Sequence, residues 1–566
     1  MSGIFGAFGV GTSALRAQQL ALRVAGQNIA NANTPGYSRQ RLDLIPLAEF
    51  STPIGSLGRG VDAQAITRIR DGLADRSYQN TAMALGEFQA RRDALRETEA
   101  IFGEPAAGAL SGQLAGFFGA LHDLANDPTS VSARTVLREQ GNLLSATFNR
   151  LNTQLNTQKT GLQSQVADLV GQANTQIALV ADLNRQIQGV EGGGAKANDL
   201  RDRRDSAVDA LADLLGVAVS ERADHSLQVA LAGSGILLVD GANGVTLTSN
   251  LNTSTDQVEV KVGTTVLPFA GGQLKGVLDT RNSATYLKGH LSSLDTLART
   301  LIQQVNRAHT SGAGQTNFTT LTSGNAVSSP TVALNAAGLP FTPVDGSFRI
   351  IVTDSTGAVV SNASVSVTAG STTLSGLASA INAAVSNVTA SVSGGQLSLT
   401  AAAGFSFAFA SDTSDTLLAL GLNTFFSGSG AASMAVNPVI QADVTKIATA
   451  TPAANGTISP GDNSRALALA QLRDSLVLNG GTATFEGYYG SLLATLGTQV
   501  NAAGAGADTQ ELLLGQAATR RSETAGVNLD EEMTALLQSQ RAYEAAARYV
   551  RTVDQVLQDL MAQLGR

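Results

Sequence analysis

The stretch LDEEMTALLQSQRAYEAAARYVRTVDQVLQDLMAQL, Leu529–Leu564, closes the chain and decides how it is read. Leu529, Leu536, Tyr543, Val550, Leu557 and Leu564 recur at seven-residue intervals, and Met533, Gln540, Ala547 and Met561 supply most of the companion positions. A sustained seven-residue repeat predicts a long helix with a left-handed coiled-coil seam. The other end carries a shorter version, ALRAQQLALRVAGQNIANA (Ala14–Ala32), in which Leu15, Leu22 and Ile29 share the same interval with Ala25 and Ala32 between them. Two such helices at opposite ends predict that the ends meet, within one subunit or across neighbours.

The first helix has a defined stop. In Thr34-Pro35-Gly36-Tyr37, Pro takes the second and Gly the third position of a type II turn. Pro35 also pushes Thr34 out of helical space, so the helix is expected to end near Asn33. At the other end Asn528, with Glu531 three residues on, forms a capping box that opens the last helix. The amides Asn28, Asn31 and Asn33 have two readings. They cap a helix end, or they hydrogen-bond between packed subunits, where a buried amide fixes register.

Between the ends the pattern changes several times. Tyr37–Arg70 reads as extended, and a helical pattern runs from about Asp71. Asp127-Pro128 ends one helix and Thr129 or Ser130 caps the next. On that next helix Phe148, Leu155, Leu162, Leu169, Leu183 and Val190 share one heptad track. Val166, Ala173, Val180 and Ile187 lie beside it, and Gln176 interrupts the first track. Some ten turns are expected, on the order of 60 Å, before the Gly192-Gly193-Gly194 break. Val217–Asp279 reads as alternating strands, for example Ser226–Ala232 and Gln257–Val262. A helix returns at about Ser283–Ala308.

Farther on, Phe348–Thr353, Ser364–Thr368, Thr389–Ser393 and Gln396–Thr400 read as strands. Gly394-Gly395 is the hairpin turn, and Leu374–Val385 an amphipathic helix. The predicted fold is mainly α with β insertions (α+β). Paired terminal coiled-coil helices join an elongated helical rod domain and a β-rich outer lobe, in discontinuous domains. The expected segments are an axial helix and extended arm (1–70), a helical rod domain (71–216), a small β insertion (217–282), a helical return (283–327), an outer β-rich domain (328–448) and a C-terminal helical segment pairing with the N-terminal region (449–566).

Composition narrows the function. A chain of 566 residues accommodates three or four domains. With no Cys it has neither disulfides nor thiolate metal sites. A net charge of −8 argues against a nucleic-acid surface. No apolar run approaches a membrane span, and the start MSGIFGAFGVGTSALR lacks the positive leader and long apolar stretch of a cleaved signal.

Motifs for chemistry fail one by one. His122, His225, His290 and His309 are scattered, and no Gly-x-Ser-x-Gly elbow occurs. Gly189–Lys196 superficially matches a phosphate loop but lacks the Gly-Lys-Ser/Thr ending and follows a helix. Asp199, Asp202, Asp205 and Asp209 share one helical face. Their i,i+4 spacing from Arg203 and Arg201 predicts a solvated face laced with weak ion pairs. No catalytic residue, metal or cofactor is expected, and the chain reads as an assembly subunit.

These residues carry a family resemblance. NIANANTPGYSRQ (Asn28–Gln40) resembles the N-terminal signature of the bacterial flagellar rod/hook axial protein family. Its Tyr-Ser-Arg-Gln ending resembles the hook-associated protein 1 branch, the hook–filament junction proteins. GVNLDEEMTALLQSQRAYEAAARYV (Gly526–Val550) resembles the C-terminal signature of the same group. FFGALHDLANDPTSVSAR, NDLRDRRDSAVDALADLLGV and LDTLARTLIQQVNRAHTSG resemble its helical domain. After His309 the segment AGQTNFTTLTSG departs from the Tyr/Asp/Leu/Asn/Gly-rich pattern of the branch.

The resemblance implies a structural subunit of an adaptor ring between hook and filament, secreted through the flagellar type III channel with its N-terminus retained. It also implies partners: copies of itself, the hook protein and the next hook-associated protein along the axis, and an export chaperone on the C-terminal helix. The implied assembly interface is Leu15, Leu22, Asn28, Ile29 and Asn31 with Leu529, Met533, Leu536, Tyr543, Val550, Leu557 and Leu564; the turn motif is Thr34, Pro35, Gly36 and Tyr37. A rod or hook subunit is the alternative within the family. A secreted coiled-coil adhesin is the alternative outside it, and would require a signal peptide or an anchor.

Overall fold

Helix boundaries follow the breakers in the sequence. In the computed structural model the helices are α1 (Ser2–Ala30), α2 (Gly72–Phe102), α3 (Leu110–Asn126), α4 (Val131–Glu191), α5 (Asn198–Leu215), α6 (Gly272–Asn282), α7 (Leu287–Thr310), α8 (Leu374–Ala384), α9 (Thr416–Leu420), α10 (Pro438–Ala442), α11 (Ser464–Ala470), α12 (Phe485–Ala525) and α13 (Leu529–Leu564). The structure describes all residues except Met1, Pro53, Ile54, Ala107, Gly565 and Arg566. The side chains of Ser2–Ile4, Phe50–Thr52 and Leu564 also lie outside the described residues, so Leu564 is not placed in any seam.

Helix α4 is longer than expected, 61 residues or about 90 Å. Nothing between Pro128 and Gly192 forbids a helix, and each isolated Gly costs only about 1 kcal/mol. Ser130 accepts from the Ala133 amide at its start, and Gly192–Gly194 ends it. The heptad track is buried from Phe148 to Leu183, whereas Val190 is exposed. Ile177 takes the place that Gln176 leaves. A straight helix drifts about 20° per heptad, which brings the next residue round to the core.

The chain divides into two units, both discontinuous: residues 1–94, 162–282 and 501–566, and residues 95–161 and 283–500. In the first unit α4 from Leu162 onward and α5 bury Val166, Val180, Leu183, Ile187, Val208 and Leu211. The unit also holds a four-stranded antiparallel sheet of Val217–Glu221, Leu227–Leu231, Leu237–Asp240 and Asn243–Gly244 in sequential order, and a three-stranded sheet from Leu247 to Val266. The alternating stretch ends there; its last part, Gly272–Asn282, is helix α6.

In the second unit Phe117, Phe118, Phe425, Phe426 and Phe485 form an aromatic core with ring centroids 4.8–5.8 Å apart. The β-rich segment has strands at the four places read from the sequence, the second of them longer (Val359–Val367), plus Phe405–Ala410, which pairs with Gly346–Asp354, and the short pair Phe426–Ser427 and Ala435–Val436. Its two three-stranded sheets and α8 share a core that includes Phe348, Leu377, Leu397 and Phe407.

One device recurs in both units. Six helical asparagines each pair, through Oδ1 and Nδ2, with the N–H and C=O of a single residue on a strand: Asn28 with Gln40, Asn174 with Leu247, Asn184 with Leu227, Asn282 with Val258, Asn306 with Phe426 and Asn382 with Ala390. A primary amide has the donor and acceptor spacing of a peptide group, so each pair extends strand bonding onto a helix. Asn184 is fully buried and also accepts from Arg204. Asn184→Asp deletes the donor and sets a carboxylate against the Leu227 carbonyl. The expected loss is about 2–4 kcal/mol, read as a lower denaturant midpoint with an unchanged m-value; a loss below ~0.5 kcal/mol would contradict the pairing.

Candidate assembly site at the terminal helices

Both ends of the chain belong to the first unit, and they meet within one subunit. Asn28 of α1 bonds Glu532 of α13. Gln19 reaches the Tyr543 hydroxyl at 3.4 Å, and a Cβ on Gly11 would lie 2.5 Å from Val550 Cγ2. As α1 residue numbers fall, α13 numbers rise, so the helices are antiparallel. The contact at Gly11 leaves no room for a side chain as long as Val550 keeps its own.

On α13 the positions turned inward are Glu532, Leu536, Ser539, Tyr543, Ala546, Val550, Val553 and Leu557, alternately four and three residues apart. Glu532 is buried and the others half-buried. Leu536, Tyr543, Val550 and Leu557 thus lie on the seam side. Their inward companions are Glu532, Ser539, Ala546 and Val553, which replace the expected Met533, Gln540, Ala547 and Met561. Leu529, Met533 and Met561 are 49%, 56% and 71% exposed; Gln540 is exposed and Ala547 half-buried. On α1 the deepest residues are Ala17, Val24, Ala25 and Asn28, while Leu15, Leu22 and Ile29 flank them half-buried.

The motif after α1 fastens this pair. The Tyr37 amide bonds the Thr34 carbonyl at 3.2 Å with Gly36 at φ 80°, which suits the type II turn. Asn31 serves the turn locally, accepting from Thr34 Oγ1 and donating to Gln27 O. Asn28, 1% exposed, uses its full capacity. Nδ2 donates to Gln40 O at 2.9 Å and Glu532 Oε2 at 3.0 Å, and Oδ1 accepts from the Tyr37 hydroxyl at 2.8 Å and Gln40 N at 3.0 Å. Burial, then Asp199, Asp202 and Glu532, push the Tyr37 phenol up to about 12, so it remains a donor. Arg39 forks onto both acids of α13, Nε to Glu532 and Nη1 to Glu531, each at 2.7 Å, and its amide donates to Ala525 O at 2.8 Å. Asn528 caps α13 through the Asp530 amide; Glu531, the other half of the capping box, turns to Arg39 instead.

Ser38 meets Asp202 of α5 through its amide at 3.0 Å and hydroxyl at 2.6 Å. The acidic face of α5 is therefore not the solvated face expected. Asp202 is buried and also accepts from Arg68. Asp205 accepts from Arg68 and Arg70, and Asp209 from Gln79 and Arg521. Arg201 turns to Glu191 and Glu221. That fork, opposed by burial, holds Glu191 down at about 2. Partners distant in sequence outcompete the neighbours on the helix because several converge on each carboxylate.

Three family models match in chain order. "Flagella basal body rod protein" covers residues 8–37, "Flagellar hook-associated protein FlgK helical domain" residues 95–321, and "Flagellar basal body rod FlgEFG protein C-terminal" residues 519–564. Flagellar hook-associated protein 1 of Bacillus subtilis is 26% identical, with 98% of this chain and 97% of that one aligned. The proteins of that name from Salmonella typhimurium and Escherichia coli are each 25% identical, over 97% of this chain and 98% of theirs. Over nearly its whole length the chain is similar to flagellar hook-associated protein 1. A structure described as the flagellar hook junction protein FlgK from Burkholderia pseudomallei shares the fold, with a TM-score of 0.52 at 19% identity over 79% of this chain and 99% of that one. The rod-type matches fall on α1 and α13, the two helices that the YSRQ motif fastens.

Removing Arg39 leaves Glu532 buried without a cation. Arg39→Ala is expected to cost about 3–5 kcal/mol, read as loss of amide-exchange protection across α1 and α13. Protection unchanged within twofold would show that the fork does not hold the pair.

Proposed function

We propose that this chain is a structural subunit of the bacterial flagellum that joins hook to filament and acts by packing, without catalysis. It works outside the cell, in the exported axial structure, beside copies of itself and axial neighbours. The reading rests on the similarity to flagellar hook-associated protein 1 and on one observation: α13 keeps apolar side chains exposed outside its contact with α1. The seam side, with Leu536, Tyr543, Val550 and Leu557, faces α1. Outside that contact, Leu529, Met533 and Leu537 are exposed near its start and Val556, Leu560 and Met561 near its end.

Exposed apolar patches of this kind mark surfaces that become covered. The occupant in the flagellum is the adjoining subunit, in a ring of copies between the hook protein and the next hook-associated protein. Before export the same patches are the place for a chaperone on the C-terminal helix. Phe5 of α1 is exposed as well, and Leu15, Leu22 and Ile29 are half-buried.

The seam and the exposed residues separate by substitution. Met533→Asp places a carboxylate in the subunit contact while leaving the free subunit within about 0.5 kcal/mol of its stability. Cells carrying it are expected to bear hooks without filaments and to shed soluble protein of normal circular dichroism. Leu536→Asp strikes the intrasubunit seam, costs several kcal/mol in the free subunit, and should lower its helicity as well. If Met533→Asp supports normal filaments, the outward patch is not the assembly surface. If cells lacking the whole chain grow normal filaments, the junction role itself is wrong.

A further inference from the structure

Residues 313–450 form an insertion in the second unit whose two ends close on each other. The Ala313 amide donates to Ala450 O at 2.9 Å, and the Thr449 and Ala450 amides return to Ala313 O. Asn423 donates to Gly312 O at 2.9 Å. His309, in the last turn of α7, sits inside this neck and is buried. Its Nδ1 lies 2.8 Å from the Asn423 carbonyl, which can only accept, so Nδ1 carries the proton. Its Nε2 accepts from the Ala448 amide at 2.9 Å, so Nε2 carries none. A second proton would point at a backbone N–H.

The charges around the ring add to this. Arg134 of α4 and Arg465 of α11 both act on His309 electrostatically, and Lys446 lines the small cavity beside it. Arg134 itself holds the returning chain through Ile447 O and Thr449 Oγ1. The nearby carboxylates are engaged elsewhere. Asp412 accepts from Ser414 and Leu417, and Asp415 from Arg307. Asp443 accepts from Thr445, and Asp462 from Thr451 and Ser464. None of these bonds reaches the imidazole.

We propose that His309 is an acid-sensitive latch on the neck of the 313–450 insertion, closed while the imidazole is neutral and opened when a second proton displaces the Ala448 bond among three cations. Burial, followed by the two arginines, holds the ring down at about 4, against an ordinary value of 6.5. A base with a depressed folded value stabilises the fold fully above its ordinary value, and that stability falls away as pH drops from 6.5 toward 4. Other groups do not mimic this loss at the neck. Burial raises Asp412, which favours the folded state on acidification. Asp443 and Asp462 are lowered and titrate below the window. His290 is depressed by burial, but it bonds Gln499 on α12.

The test is amide exchange of the full chain at pH 7 and pH 4.5, corrected for intrinsic rates. The Ala313 and Ala450 amides are expected to lose tenfold or more of their protection, while the core of the β-rich segment around Ile350 and Leu397 keeps its own. His309→Gln, which cannot take up the proton, should show less than a twofold change at the neck over the same range, whatever its stability at pH 7. His290→Gln should keep the full wild-type loss. Neck protection in the unsubstituted chain that does not change with pH overturns the latch, as does an equal loss in His309→Gln. The unsubstituted chain alone decides the first point, so a poorly folding variant leaves the proposal falsifiable.

Discussion

A buried carboxylate, Glu532, is held by one amide and one guanidinium, and the placement of both chain ends depends on it. Glu532 is 4% exposed and would be costly to bury alone. Arg39 supplies the opposite charge and Asn28 fills its second oxygen. Asn28 and Arg39 lie in one N-terminal motif, and Glu532 lies some 500 residues away in sequence. A shift of one residue along the helix pair would leave Glu532 uncompensated, so the polar contact fixes a register that small, half-buried side chains such as Ser539 and Ala546 specify only loosely.

The same economy appears elsewhere. The chain has no Cys or Trp and few aromatics, and much of its helix-to-strand docking is done by polar groups. Asparagine amides stand in for peptide groups, and buried arginines gather backbone carbonyls: Arg134 holds Pro128 and Ile447, and Arg204 holds His225. Burial lowers both guanidiniums to about 10, which leaves them charged at any physiological pH. Such contacts are directional. They favour one arrangement over its neighbours and need no covalent cross-link.

Much of this was legible in the sequence, and the failures have physical reasons. The seven-residue track Leu536–Leu557 is apolar and announces itself. Its true companions, Glu532, Ser539, Ala546 and Val553, are charged, polar or small, so an apolar pattern selects the next residue along, Met533 and Met561, instead. The acidic face of α5 offers opposite charges at i,i+4, yet the partners of Asp202, Asp205 and Asp209 lie on other elements, which spacing cannot reveal. Asn28 stood out because it sits beside a turn motif. Asn174, Asn184, Asn282, Asn306 and Asn382 have the same role and no local pattern that marks them. Four strands of the β-rich segment were legible, but Phe405–Ala410, whose FSFAFA alternation follows a hairpin that already appeared complete, was not, nor was the two-residue pair Phe426–Ser427 and Ala435–Val436, too short to show a period.

The proposal that α13 seals its seam onto α1 and keeps its exposed apolar residues for assembly is open to a direct trial, because the chain contains no Cys. Gly11 and Val550 are close enough to bridge. The measurement is oxidation of dilute Gly11→Cys/Val550→Cys protein, followed by addition of the cross-linked subunit to hooks lacking it. The expected result is an intramolecular disulfide, and a locked subunit that still joins hook to filament. Failure to cross-link within one chain, or a locked subunit that joins only after reduction, would mean that the ends separate to assemble and that the antiparallel pair is not the working state.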